Sequence, residues 1–206
     1  MSHFRADVRQ RAEELVAVYP RRRSAMLPML HLAQEQDGYV TDGAIEEIAE
    51  LTGTTPAEVR GTAAFYDMFH LEPVGRYVVG VCTNVACLLA GGDDLLEHAS
   101  RTLGCAVGGT SDDGLFTLEE TECLADCNIA PVVQVNHRYV RTTTPDAFDQ
   151  LVTDLRAGRL DGDVPPHGTL IRVRRNGGLR VERDELSAER AAARAAREAR
   201  AATEAK

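Results

Sequence analysis

Four of the five cysteines fall in two close pairs. Cys82 and Cys87 form C-x4-C, and after 35 intervening residues Cys123 and Cys127 form C-x3-C. If both pairs serve one centre, the chain must leave the first pair, build something, and return beside it. That requirement constrains the fold more than any other feature of the sequence. No leader with an apolar core is expected from the N-terminus, and no apolar run approaches a membrane span. The expected compartment is therefore the cytoplasm, where clustered thiols more often bind metal than form disulfides. Cys105 stands alone in a Gly-rich stretch and reads as a small core residue.

The spacing narrows the chemistry. Zinc modules favour C-x2-C knuckles, and a dithiol redox pair needs C-x-x-C, so neither pair matches these patterns. A [2Fe–2S] cluster takes two thiolates on each iron, and two pairs on neighbouring loops can grip it from both ends. The C-x4-C-x2-C run of plant-type ferredoxins is absent, and neither His98 nor His137 stands beside a cysteine as a Rieske centre requires. Spacing therefore favours the cluster and leaves zinc open. No side chain is expected to act as acid, base or nucleophile. No Gly-rich nucleotide loop follows a strand, so a nucleotide would bind another chain.

The 206 residues carry a formal charge of −9, which argues against a nucleic-acid binder. The acids are unevenly spread. Between Asp93 and Asp126 lie nine of them (Asp93, Asp94, Glu97, Asp112, Asp113, Glu119, Glu120, Glu122, Asp126) against one cation, Arg101. They read as a solvated face and also as a field that disfavours adding an electron. The expected potential is comparable to, or below, the roughly −400 mV of plant-type clusters.

Periodicity divides the chain into three. Residues 1–73 read as a helical bundle: a helix ended by Pro20, a second capped by Ser24 and stopped by Gly38, a third opened by Thr41 or Asp42, and a fourth opened by the Thr55-Pro56-Ala57-Glu58 capping box. Residues 74–158 read as β-α-β-β-α: a strand over 77–81 delivering Cys82, a helix capped by Asp93 or Asp94, a strand over 116–122 leading to Cys123, a hairpin turning at 136–138, and a last helix capped by Thr144. That order is the pattern of a small thioredoxin-like sheet, and Pro131 is a place to look for a cis bond. Residues 159–206 read as a linker over 159–168, a hairpin with five arginines over 169–183, and an Ala/Arg/Glu-rich tail. The expected class is α+β, a helical bundle followed by a thioredoxin-like [2Fe–2S] domain.

Several segments together resemble one family. They are residues 24–34 (SAMLPMLHLAQ), 61–69 (GTAAFYDMF), 73–77 (PVGRY), 81–87 (VCTNVAC), 113–118 (DGLFTL), 122–124 (ECL) and Ala130-Pro131. These resemble the E-type subunit of NADH-quinone oxidoreductase, respiratory complex I, a thioredoxin-like [2Fe–2S] ferredoxin, over about residues 15–157. The resemblance implies that Cys82 and Cys87 hold one iron and Cys123 and Cys127 the other. It implies docking beside a flavoprotein subunit that carries FMN and oxidises NADH, with this chain an oxidoreductase subunit not catalytic alone. Electron storage or tuning of the flavin is the implied role. The location implied is peripheral, at the inner face of the cell membrane through the complex. The alternatives are the equivalent diaphorase subunit of an NAD-linked hydrogenase or formate dehydrogenase, or a zinc-stabilised interaction module. The chain departs from the family at Leu124-Ala125-Asp126, where Leu-Gly is common, and at Asn128-Ile129.

Overall fold

The first layer is helical because its apolar positions recur at helical spacing and its ends carry strong local signals. In the structure, a computed structural model that describes residues 2–168, these helices are α1 (Ala6–Val18), α2 (Met26–Asp37), α3 (Asp42–Thr52) and α4 (Pro56–Phe65). Thr41 accepts from the backbone N–H of Ala44, and the Thr55–Glu58 capping box closes reciprocally. Gly38 and Gly53 end α2 and α3 with φ of 80° and 68°, a backbone that a side chain resists. Val8, Ala12, Met29, Leu30, Ile45, Ile48, Val59 and Ala63 bury together between the helices. The N-terminus is pinned by buried Glu47, which accepts from Ser2 Oγ, from the His3 and Phe4 amides and from Arg9.

Ser24 does not cap α2. A 3-10 turn over Arg22–Ala25 runs straight into the helix, and the Ser24 amide donates to Arg21 O inside that turn. The tight turn occupies the place a free cap would need, and Pro28 sits in the first helical turn, where its missing N–H costs nothing.

The second layer is a four-stranded sheet in the order β2-β1-β3-β4, from β1 (Tyr77–Cys82), β2 (Phe116–Thr121), β3 (Val133–Val135) and β4 (Arg138–Val140). β1 and β2 are parallel, and the other pairings are antiparallel. The crossover between the parallel strands carries α5 (Val85–Leu89) and α6 (Gly92–Leu103), and α7 (Pro145–Arg156) follows β4. Tyr77, Val79, Val81, Phe116, Leu118, Val133 and Val135 alternate onto one face and bury against Leu95, Ala99 and Leu103 of α6 and Phe148, Leu151 and Leu155 of α7. Cys105 packs at the margin of this core, partly buried.

Asp93 and Asp94 do not cap α6. The cap is Gly91, at φ 91°, and both acids lie in the first turn, where they complement the helix dipole. The β3–β4 turn has φ of 48° at Asn136 and 61° at His137, the two-residue form whose twist suits a hairpin. Asn136 then ties three segments together: its Oδ1 accepts from Val78 N at 2.8 Å, and its Nδ2 donates to Arg76 O at 3.0 Å and Pro165 O at 2.8 Å.

Residues 159–168 are not a free linker. Val164 is buried in the sheet core, Leu160 packs beside it, and His167 N donates to Arg76 O at 2.8 Å. Gly/Pro composition suggested a spacer, but the apolar side chains and backbone groups find partners on the sheet. The arginine hairpin and the tail lie outside the described residues.

Candidate metal centre

A parallel pair of strands ends at one edge, and here that edge carries both cysteine pairs. Cys82 is the last residue of β1 and stands opposite Thr121, the last of β2, with Cys123 two residues beyond. Cys87 follows on α5, whose short helix starts after Asn84 in extended backbone. Cys127 opens a 3-10 turn, Cys127–Ile129, that leads into the cis Ala130-Pro131 bond and then β3. The sequence therefore folds so that the exits of β1 and β2 are neighbouring loops.

Side chains and backbone bind the two loops to each other. Thr83 Oγ1 donates to Glu120 at 2.6 Å, Asn84 Nδ2 to Glu122 at 3.4 Å, and Thr83 N to Thr121 O at 3.4 Å. Cys82 N donates to Val132 O at 3.0 Å, which anchors the first loop to the start of β3. Gly92 makes the crossover possible. A Cβ there would come within 2.8 Å of the Cys82 carbonyl oxygen and 2.9 Å of the Cys87 carbonyl oxygen. The second loop is held at Leu124, whose carbonyl accepts from the Tyr139 hydroxyl at 2.7 Å. Ala125 follows at φ 60°, the left-handed region that Gly occupies freely and Ala does not.

The four thiols divide into two environments. Cys82 and Cys87 are buried with Val132, and Leu124, Ile129 and Ala130 pack over them. Burial raises the Cys87 thiol above its ordinary range, the Val132 amide lowers it in opposition, and the hydrogen bond with Cys82 raises it again. Cys127 is near enough for its charge to act on Cys87, while Cys123 and Cys127 are both exposed. The structure thus brings Cys82 and Cys87 into contact and sets the second pair on the adjoining loop. Among the described residues no three His, Cys, Asp or Glu gather tightly enough to hold one metal ion. Four free thiols in two pairs at one edge, one pair dry and one exposed, fit the two-iron group.

The nine acids do not all lie beside the cysteines. Glu120 and Glu122 bond to the first cysteine loop, and Asp126 lies within the second. Asp113 is paired with Arg156 at the opposite end of β2, and Glu97 with Arg101. Glu119 is half-buried, and burial together with Asp67 raises its carboxyl above the usual range. Only part of the negative charge expected around the centre therefore lies beside it.

Sequence reasoning missed Gly92, Val132 and Tyr139. The Gly91-Gly92 doublet was a visible signal. Val132 and Tyr139 reach the site only through the sheet, and nothing local marks them.

Residues 12–156 match the thioredoxin-like [2Fe-2S] ferredoxin family. The chain belongs to that family. Among curated relatives it is similar to subunit 2 of the NADH-quinone oxidoreductase of Thermus thermophilus, 42% identical over 159 residues that cover 76% of this chain and 88% of the relative. It is 41% identical to the second E-type NADH-quinone oxidoreductase subunit of Rhizobium meliloti over 150 residues, 73% of this chain and 89% of the relative. It is 43% identical to the E-type NADH-quinone oxidoreductase subunit of Mycobacterium bovis over 146 residues, 71% of this chain but 58% of that longer relative. Among solved structures, an air-oxidized NAD+-reducing [NiFe]-hydrogenase superposes with a TM-score of 0.58 at 22% identity, over 66% of this chain and 24% of that one. The likeness to the hydrogenase shows the fold alone. Among the described residues no helix is long and apolar enough to cross a membrane.

Proposed function

We propose that this chain is the electron-transfer subunit of an NADH-quinone oxidoreductase, carrying one [2Fe–2S] cluster on Cys82, Cys87, Cys123 and Cys127. The observation that carries the reading is the parallel β1–β2 pair, which delivers both cysteine pairs to one edge of the sheet. The bound group supplies one-electron acceptance and donation. The rest is the work of the chain. Cys82 and Cys87 offer a dry pair under Leu124, Ile129 and Ala130, which excludes water from that half. Val132 packs beside Cys87, and its backbone favours the thiolate, which eases addition of an electron. Glu120 and Glu122 hold the first loop to β2 and oppose added negative charge. The exposed pair, Cys123 and Cys127, faces outward where a redox partner can approach.

In this reading residues 74–158 carry the cluster and the bundle over 1–73 docks. The partner is a flavoprotein subunit that binds FMN and NADH, and the assembly is peripheral to the membrane. Relatives at 41–43% identity bear the quinone oxidoreductase name, which favours that context over the hydrogenase one. The test is purification of the tagged full chain from its own cells. A flavin-containing complex whose [2Fe–2S] signal changes when NADH is added supports the proposal. Recovery of the chain without any flavoprotein contradicts it.

A further inference from the structure

Tyr139 presents a puzzle of placement. It lies on the edge strand β4, opposite Gln134, and is 54% exposed. At that exposure its hydroxyl could bond to water at no cost, yet it donates to Leu124 O at 2.7 Å. That carbonyl belongs to the peptide unit joining Leu124 to Ala125, and Leu124 directly follows Cys123. Ala125 stands at φ 60° without being Gly. An L-residue in this region strains toward negative φ, and the return requires the preceding peptide to rotate. Rotation would swing the Leu124 carbonyl away from its bond. The Tyr139 hydroxyl and the Ala125 backbone therefore oppose one another through a single peptide.

The rest of the loop has little else to resist that rotation. Among the described residues, Ile129 N to Asp126 O and Ala130 N to Cys127 O are bonds internal to the segment, and the Asn84 side chain reaches the loop through the Glu122 side chain. Leu124 packs over the first cysteine pair, so moving its peptide moves the cover of Cys82 and Cys87 together with Cys123.

We infer that Tyr139 is a positioning residue for the metal centre: its hydroxyl holds the Leu124–Ala125 peptide so that Cys123 and Cys127 stay set against the first pair. The inference rests on the four-cysteine ligand set proposed above. It makes Tyr139 and Ala125 a coupled pair, in which Gly at 125 would need no clamp.

The experiment uses the full chain loaded anaerobically with iron and sulfide. Tyr139→Phe keeps the ring and removes the bond. Iron release to a ferrous-iron chelator is expected to speed up roughly two- to tenfold, the range for loss of one hydrogen bond. The g-values of the dithionite-reduced EPR signal are expected to shift, which a change in folding stability alone would not produce. In the Ala125→Gly background the same substitution is expected to have little effect on either readout. Unchanged release and unchanged g-values for Tyr139→Phe in a chain whose wild type carries two irons would overturn the clamp and leave the ligand set standing. An effect of equal size in both backgrounds would overturn the coupling to Ala125. A wild-type chain that assembles no two-iron cluster would overturn the ligand set and the inference with it.

Discussion

Cys82 stands directly opposite Thr121 in the parallel ladder of β1 and β2, so Cys123 emerges beside the loop that leads to Cys87. The β1–β2 register thus does what the 35-residue gap between the pairs demands. α6 and β2 lie within that gap and return the chain to the same edge.

Gly92 is the tightest point of the return. A methyl group there meets the carbonyl oxygens of both cysteines of the first pair at under 3 Å, and both are backbone atoms that cannot swing aside. Gly92→Ala is expected to displace α5 from β1 and to destabilise the protein by about 1–3 kcal/mol. Iron content after reconstitution, read beside thermal unfolding, checks this. A fully loaded variant of wild-type stability would contradict it.

Glu47 ties the N-terminus to α3. Burial pushes its carboxyl up, but bonds from Ser2, Phe4 and His3 and the Arg9 charge outweigh that, leaving it below the ordinary value. A depressed acid stabilises the fold above its unfolded pKa, and that stability is lost as pH falls from about 4.5 through the folded value. Glu47→Gln is expected to cost about 1–3 kcal/mol at neutral pH. Urea unfolding measures it, and a midpoint equal to wild type would count against the anchor.

How much of this was legible in the sequence depended on range. Thr41, Thr55-Pro56, Gly38 and Gly53 act through their own neighbours, and each stands where local chemistry placed it. The apolar run of β1 and the alternation at the start of β2 marked two strands, each followed by a cysteine pair. Ser24 and Asp93 also look like caps, but a 3-10 turn and Gly91 displaced them. Val164 sits in a Gly/Pro-bearing stretch that reads as a spacer, and only the sheet core decides that it is buried. The cysteines were legible as pairs. Their supports were not, because Val132 and Tyr139 come from β3's approach and from the edge strand. Ala125 was visible as a departure from the Gly that the resemblance implies, and its φ of 60° is backbone that Gly adopts freely.

The rings of His70 and His167 meet edge to face with centroids 4.8 Å apart, and among the described residues the buried Nε2 of each has no hydrogen-bond partner. Burial first, then the charges of His70 and His137, lower His167 to about 4, against an opposing pull from the Gly38 carbonyl. Burial and His137 likewise lower His70, although Asp67 acts the other way. The unfolded chain takes up protons below about pH 6.5 while the folded chain does not, so stability falls as pH drops from about 6.5 to about 4. Glu119, raised by burial and Asp67, contributes the opposite slope. His167→Leu is expected to flatten the fall by an amount of order 2 kcal/mol. Denaturant unfolding between pH 7.5 and 4.5 decides it; identical slopes for variant and wild type would contradict the assignment.

The acids beside the cysteines should act on the potential and the distant ones should not. Glu122→Gln is expected to raise the midpoint potential by tens of millivolts, the scale of one nearby charge in a partly screened setting. Asp113→Asn, at the far end of β2 and paired with Arg156, is expected to leave it unchanged. Redox titration followed by EPR separates them, and equal shifts for both would contradict the local reading.

In the proposed assignment the two cysteine pairs hold two irons rather than one zinc. Anaerobic reconstitution of the full chain, with iron, acid-labile sulfide and zinc assayed together and an EPR spectrum taken after dithionite, tests it directly. About two irons and two sulfides per chain and a spin-half signal from the reduced cluster are expected. Stoichiometric zinc without sulfide, and no signal, would contradict it.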